Sequence, residues 1–351
     1  MTLRSTRLSV LDRSSVREGR DHAGALRETL TFAGQAESLG YHRFWVSEHH
    51  SVPGVAGSAP AVLAASLAAA TRRIRIGTGG VMLPNHRPLI VAEQFGVLAA
   101  LHPGRIDMGL GRSVAFTGGI RRALGTGTEA ADAFPAQVAE LLGYFTGDQR
   151  VHPGVRAIPG EGLDPAPFIL ATGEGSAFAA DAGLPLVIAP VRGTDEMLRL
   201  IERYRARFRP SPWSARPYVV VSMNVAVAAT PDAARMLLAS EAWANAHART
   251  RGVFPPLSPP EEVAAREMTA RERDRFDEAM RGHVHGTEDQ VSAELDALLA
   301  RSAADEILVT LSAFDRGRML DSYRRLAGIA GLGDGTGYRA GLPGTVGRAG
   351  R

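Results

Sequence analysis

Short runs of apolar and β-branched residues alternate with longer stretches whose apolar positions recur every three or four residues. That alternation gives the order of elements. The short runs, each a predicted strand, are Arg7–Leu11, His42–Ser47, Ile74–Leu83, Arg105–Leu110, Pro167–Ala171, Leu186–Ala189, Tyr218–Ala228 and Glu306–Leu311. Between them lie predicted helices. Asp21–Leu39 has Leu26, Leu30 and Ala33 on one face, and Gly40 follows as a stop. A second helix opens after Ser58, read as its cap, with Pro60 in the first turn where a missing N–H costs nothing. Leu89–Leu101, Ser176–Ala182, Asp195–Phe208 and Arg316–Ala330 follow the same logic, as do helices opened by Thr230-Pro231 and by the capping box Thr287 to Gln290.

Two stretches break the rhythm. Residues 112–166 hold one good helical pattern, Pro135–Phe145, and read as an insertion after the fourth strand. Residues 250–286 begin with Pro255, Pro256, Pro259 and Pro260 and read as a mobile connection, suited to a lid, after the helix that follows strand seven. Eight βα units of this kind predict a parallel (β/α)8 TIM barrel with insertions, occupying residues 1–330 as one domain. The glycine-rich stretch 331–351 is expected to be a disordered tail. A doubly wound open sheet is the rival, but no early G-x-G-x-x-G favours a dinucleotide site of the Rossmann type.

Composition narrows the chemistry. There is no cysteine among the 351 residues, which excludes disulfides, thiolate metal ligands and a thiol nucleophile. All 40 basic residues are arginine, spread among 37 acidic ones for a net charge of +3, so no basic stripe points to nucleic acid. Neither a signal peptide nor a spanning segment is evident, and a cytoplasmic protein is expected.

In a barrel, chemistry gathers where strands end at their C-terminal side. Four such places stand out. Ser47-Glu48-His49-His50 follows strand two, and His49 can move a proton near neutral pH or simply hold the loop by hydrogen bonds. A metal site from these adjacent residues is disfavoured, because neighbours in sequence point apart. Gly79 and Gly80 sit inside strand three, where glycine suits either tight packing or close approach of a flat ring. Gly111-Arg112 ends strand four, with Arg112 able to reach a phosphate or to form a surface ion pair. Thr172, Gly173, Gly175 and Ser176 form a hydroxyl- and N–H-rich loop after strand five, and with Arg112 they could grip one phosphate.

These places, in this order, resemble the luciferase-like flavin monooxygenases. The resemblance is carried by Gly40 to His50, Ile76 to Gly80, Leu83-Pro84-Asn85-His86-Arg87-Pro88, Glu93-Gln94, Pro103 to Arg112, Ala171-Thr172-Gly173 and Gly183-Leu184-Pro185. It covers most of residues 7–330 and thins across 112–166 and 250–286. It implies a homodimeric barrel, and a flavoprotein that takes reduced FMN (FMNH2) from a separate NAD(P)H-flavin reductase. It implies O2 as co-substrate, activated as a flavin C4a-hydroperoxide that oxygenates a small organic substrate. It carries over His49 as the active-site histidine, a non-proline cis peptide at Gly79-Gly80 beneath the flavin ring, and Arg112 with Thr172, Gly173, Gly175 and Ser176 as the phosphate grip. The reactive cysteine of bacterial luciferase itself corresponds to Gly111 here, so light emission is not implied. The wording is nearer to relatives of secondary metabolism and antibiotic biosynthesis. An F420-dependent oxidoreductase and a non-catalytic flavin-binding protein on the same fold stand as alternatives.

Overall fold

The computed structural model describes residues 1–333. The predicted glycine-rich tail falls outside these residues from 334 onward; Gly331, at φ 69°, closes the last helix as a left-handed cap. The chain has the expected (β/α)8 barrel fold. The strands are β1 (Arg7–Asp12), β2 (Arg43–Val46), β3 (Arg75–Thr78), β4 (Val81–Met82), β5 (Ile106–Gly111), β6 (Ala166–Leu170), β7 (Leu186–Ile188), β8 (Val219–Val227), β9 (Val284–Gly286) and β10 (Glu306–Thr310). They fall into two compact units. Among the described residues, one combines residues 1–58 with residues 221–333, and the other is Ala59–Val220.

In the first unit β1 lies parallel to β10, with Arg7 opposite Glu306, and parallel to β2, with Val10 opposite Phe44. Side chains on both faces of these strands are almost wholly shielded, among them Leu8, Val10, Phe44, Trp45, Ile307 and Leu308. Among them sits a polar knot. Arg43 and Glu306 are both 0% exposed, and Arg43 Nε lies 3.0 Å from each Glu306 oxygen. Ser9 Oγ also donates to Glu306. A charge pair placed so deep is retained only because each partner compensates the other.

The sequence does not announce β9. His283-Val284-His285 is short and polar, yet Val284 to Gly286 extends the sheet beside Val225 to Val227. Nor is the proline-rich connection loose where it begins. Leu257, fully buried, donates its N–H to the Val16 carbonyl and accepts from Glu18 N–H. Gly54 N–H donates to the Phe254 carbonyl, and no side chain fits at Gly54 because Pro255 lies against it. Proline withholds donors within this stretch, but the residues around it find partners some 200 to 240 residues away in the chain.

In the second unit β5 is central. It pairs in parallel with β3 (Ile76 opposite Ile106), with β4 (Val81 opposite Leu110) and with β6 (Gly109 opposite Phe168), and β6 continues to β7. The predicted single strand Ile74–Leu83 is therefore two, interrupted at Gly79 and Gly80, whose shared peptide bond is cis. The helix Pro60–Ala70 starts one residue later than a Ser58 cap requires, and Ala59 occupies the cap position without a side-chain bond. The helix Pro88–Leu101 is apolar on both sides. Phe95 and Leu98 are buried, while Ile90, Val97 and Leu101 are exposed, as is Val62 on the preceding helix. The insertion contains the expected helix, Phe134–Thr146, and the short helix Gly118–Ala123.

Candidate active site

The chemistry-bearing residues lie past the C-terminal ends of strands, and each unit contributes its own set. In the first unit the chain leaves β2 at Ser47 and turns through His50. His49 is held from two sides: its N–H donates to the Gly57 carbonyl at 2.9 Å, and its Nδ1 lies 3.1 Å from Ser47 Oγ. Gly57 in turn packs closely. A Cβ there would lie 3.2 Å from the Ser47 carbonyl oxygen and 3.5 Å from that of Arg13. Glu48 is turned away from His49 and pairs with His50, Oε1 to Nε2 at 2.6 Å. Burial drives the pKa of His49 down to about 4, and the positive charges of Arg13 and His50 act in the same direction against a smaller opposing pull from Glu48. The imidazole is thus neutral at pH 7, able to accept a proton at one nitrogen and to donate at the other.

Arg13 directly follows β1 and escapes a reading of the sequence that looks for histidine and glycine motifs. Its Nη1 donates to Glu241, which is buried in the helix Pro231–Arg251. Nothing in the sequence marks Glu241, since an acid within a 21-residue helix reads as a solvated face.

In the second unit a cavity of about 350 Å3 opens beyond β5, β6 and β7. Arg112, Thr172, Gly173 and Gly175 line it, and so does Arg192, which follows β7 and was not singled out by sequence. Arg112 makes one ion pair, with Asp132 at 3.4 Å, and both side chains are exposed. Such a pair contributes little and leaves the guanidinium available. Gly173 faces open space, whereas a Cβ at Gly175 would press on Ala171 at 2.9 Å. Ser176 is placed differently from its expected role. It is buried, and its hydroxyl donates to the Gly173 carbonyl at 2.8 Å, which fixes the loop and does not line the cavity. Gly111 borders the cavity through its neighbour Arg112, and a Cβ there would make only ordinary contact, 3.7 Å from the Val81 carbonyl oxygen.

Gly79 and Gly80 are half-exposed on one side and tight on the other. A Cβ on Gly80 would come within 2.7 Å of the Gly109 carbonyl oxygen and 3.2 Å of Leu170 Cδ1. Glycine is therefore required at 80 by packing against β5 and β6, and its bare backbone leaves a flat surface on the open side. Two guanidinium groups without strong partners among the described residues, a hydroxyl-bearing loop and a bare glycine backbone suit a planar ring carrying a phosphate.

The sequence matches the luciferase-like monooxygenase family over residues 6–306. This chain belongs to that family. It is 36% identical over 326 residues to the luciferase-like monooxygenase of Escherichia coli (strain K12), covering 92% of this chain and 96% of the relative. The crystal structure of apo-MsnO8 is similar across 94% of this chain and 99% of its own, with a TM-score of 0.83 at 30% identity. An F420-dependent secondary alcohol dehydrogenase shares the fold at a TM-score of 0.65 over 94% of this chain and 99% of its own, at 15% identity. The fold alone thus does not choose between flavins. Among the described residues no helix is long and apolar enough to cross a membrane.

Proposed function

We propose that this family member is a two-component monooxygenase that uses FMNH2 and O2 to oxygenate a small organic substrate in secondary metabolism, in the cytoplasm. The observation that carries the cofactor choice is the cavity with Arg112 and Arg192 on its wall. Two arginines match the dianion of a phosphate monoester, which FMN has, better than the singly charged diester of F420.

When bound, reduced FMN supplies the two electrons with which one oxygen atom of O2 enters the substrate and the other leaves as water. The chain's own residues do the rest. Arg112 and Arg192 hold the phosphate, helped by the Thr172–Gly175 loop that Ser176 braces. Gly79 and Gly80 offer backbone on which a ring can lie without meeting a side chain. His49, neutral at working pH and steadied by Ser47, accepts or donates the proton that accompanies oxygen transfer. The reduced cofactor comes from a separate NAD(P)H-flavin reductase, as the family resemblance implies. A homodimer would cover the exposed Val62, Ile90, Val97 and Leu101, an uncharged apolar set that water disfavours.

Anaerobic titration with FMNH2, followed by mixing with oxygenated buffer and product analysis by mass spectrometry using labelled O2, tests this. Tight binding and incorporation of one labelled atom into a candidate substrate are expected. Binding and turnover of F420 in place of FMNH2 would assign the protein to the F420-dependent reductases. Binding of FMN without accelerated oxygen chemistry would make it a flavin-binding protein.

A further inference from the structure

The proposed cofactor grip and His49 do not use Arg13 or Glu241. Arg13 comes immediately after β1, with its side chain 30% exposed. Glu241 is 3% exposed, a charged group taken almost wholly out of water. A structural arginine–carboxylate pair of this kind is normally bidentate, with two parallel N–H···O bonds. This one is not. Only Nη1 of Arg13 reaches Glu241, through Oε1, and Oε2 is buried without a hydrogen-bond partner among the described residues. Ser240 Oγ, next in the chain, is buried and unpartnered as well. On the arginine side, Nε and Nη2 have no acceptor among the described residues. Burying a carboxylate this incompletely is costly, and a single one-point contact is a poor return in stability. What the contact does achieve is to fix one corner of a guanidinium and leave its remaining donors without a partner among the described residues.

Arg13 and Ser47 both back onto Gly57, which accepts the His49 N–H, so the three residues share one loop junction. The charge of Arg13 is felt at His49 and also at His283, just before β9. Glu48 and His50 also act on His49 from the β2 side, and Glu241 and His285 also act on His283 from the helix and β9 side.

We propose that Arg13, positioned by Glu241, anchors the substrate by an oxyanion, a carboxylate or phenolate oxygen, and so presents it to His49. This deepens the monooxygenase reading and rests on it for the word substrate. The anion site itself does not depend on the flavin. The forked N–H donors take such an oxygen in a defined orientation, which a lysine in the same place could not do as well. The half-paired state of Arg13 matters for affinity. Glu241 holds the guanidinium in place and at the same time offsets part of its charge, which favours binding weak enough to let product leave.

The test uses the full chain with 13C-labelled histidine, observed by NMR in the absence of flavin. The probes are benzoate, 4-nitrophenolate and the neutral methyl benzoate. One or both anions should move the His49 and His283 signals saturably in the wild type, while methyl benzoate leaves them in place. R13Q should weaken anion binding about tenfold or more, the loss expected for a charge-assisted hydrogen bond, and R13K should recover part of it. Glutamine at 241 can still accept from Arg13 but lacks the charge, so E241Q should bind the anions at least as tightly as wild type. E241A, which frees the guanidinium, should bind them more weakly. Failure of both anions to bind the wild type, equal binding by R13Q, or equal response to methyl benzoate would overturn the proposal. Titration of wild type and R13Q with FMNH2 keeps the two readings apart. Loss of FMNH2 binding in the wild type refutes the cofactor assignment and leaves the histidine shifts standing, whereas normal FMNH2 binding with no anion response refutes the anchor alone.

Discussion

The depressed pKa of His49 makes the protein's acid stability a direct measure of how its imidazole is buried. In the unfolded chain the imidazole titrates near 6.5; in the fold it does so at about 4, first because burial disfavours the charged form and then because Arg13 and His50 repel it. Between these two values the unfolded chain takes up a proton that the folded chain refuses. Stability therefore falls as the pH drops from about 6.5 towards 4, levels off below that, and is unaffected by His49 above 6.5. At 1.36 kcal/mol per pH unit the full span corresponds to about 3 kcal/mol, and partial exposure of the ring makes about 2 kcal/mol a fairer expectation. Urea unfolding of wild type and His49→Gln at pH 7.5 and pH 4.5 reads this out. Other groups that titrate in that interval, His283 included, are common to both proteins and cancel in the comparison. The wild type should lose about 2 kcal/mol more than the variant on acidification. Parallel losses, or an NMR titration that places the His49 imidazole near 6.5, would refute the reasoning.

Gly80→Ala should lose about 1–3 kcal/mol of stability together with flavin affinity, because the new methyl meets a backbone oxygen of Gly109 that cannot move aside; thermal unfolding and flavin titration would show it. R112Q and R192Q should each weaken FMN binding while leaving riboflavin binding nearly unchanged, and equal losses for both ligands would remove the arginines from the phosphate site. Arg43→Leu should cost about 3–5 kcal/mol in chemical denaturation, since Glu306 would be left buried without its cation. If the exposed apolar helix faces bury against a second copy, the double variant V97E/L101E should shift sedimentation from dimer to monomer, and an unchanged profile would place the interface elsewhere.

Hydrophobic periodicity was enough to read the barrel, because each βα unit carries its own alternation and its own stop. It failed where a partner far off in sequence decides the outcome. Val284 to Gly286 becomes a strand only because β8 is there to accept it, and Leu257 is immobilised by Val16 and Glu18, some 240 residues earlier in the chain. Thr287 to Gln290, by contrast, is a capping box both in sequence and in structure, since all its partners lie within three residues. The same division runs through the candidate site. Arg112, Thr172, Gly173 and Gly175 are carried by motif and line one cavity, but the Ser176 hydroxyl is claimed by a carbonyl that no motif reveals. Arg192 stands just past a strand end, and inspection of that position alone could have found it. Glu241 could not have been found this way, because only burial distinguishes it from the other acids on helices.

The pairing of β1 with β10 has a consequence for how the protein is made. Ala59–Val220 is continuous, so every strand partner inside it is synthesised within one stretch and can be matched while the ribosome is still at work. Arg7, Leu8, Ser9 and Val10 must wait for Glu306 to Val309, nearly three hundred residues later, and Arg43 waits for the same Glu306. Until then β1 has only β2 beside it, and Arg43 lacks the carboxylate of Glu306. Loop closure over that distance costs entropy before any contact repays it, and a chain truncated before residue 306 should be recognised by chaperones or proteases through this unzipped edge.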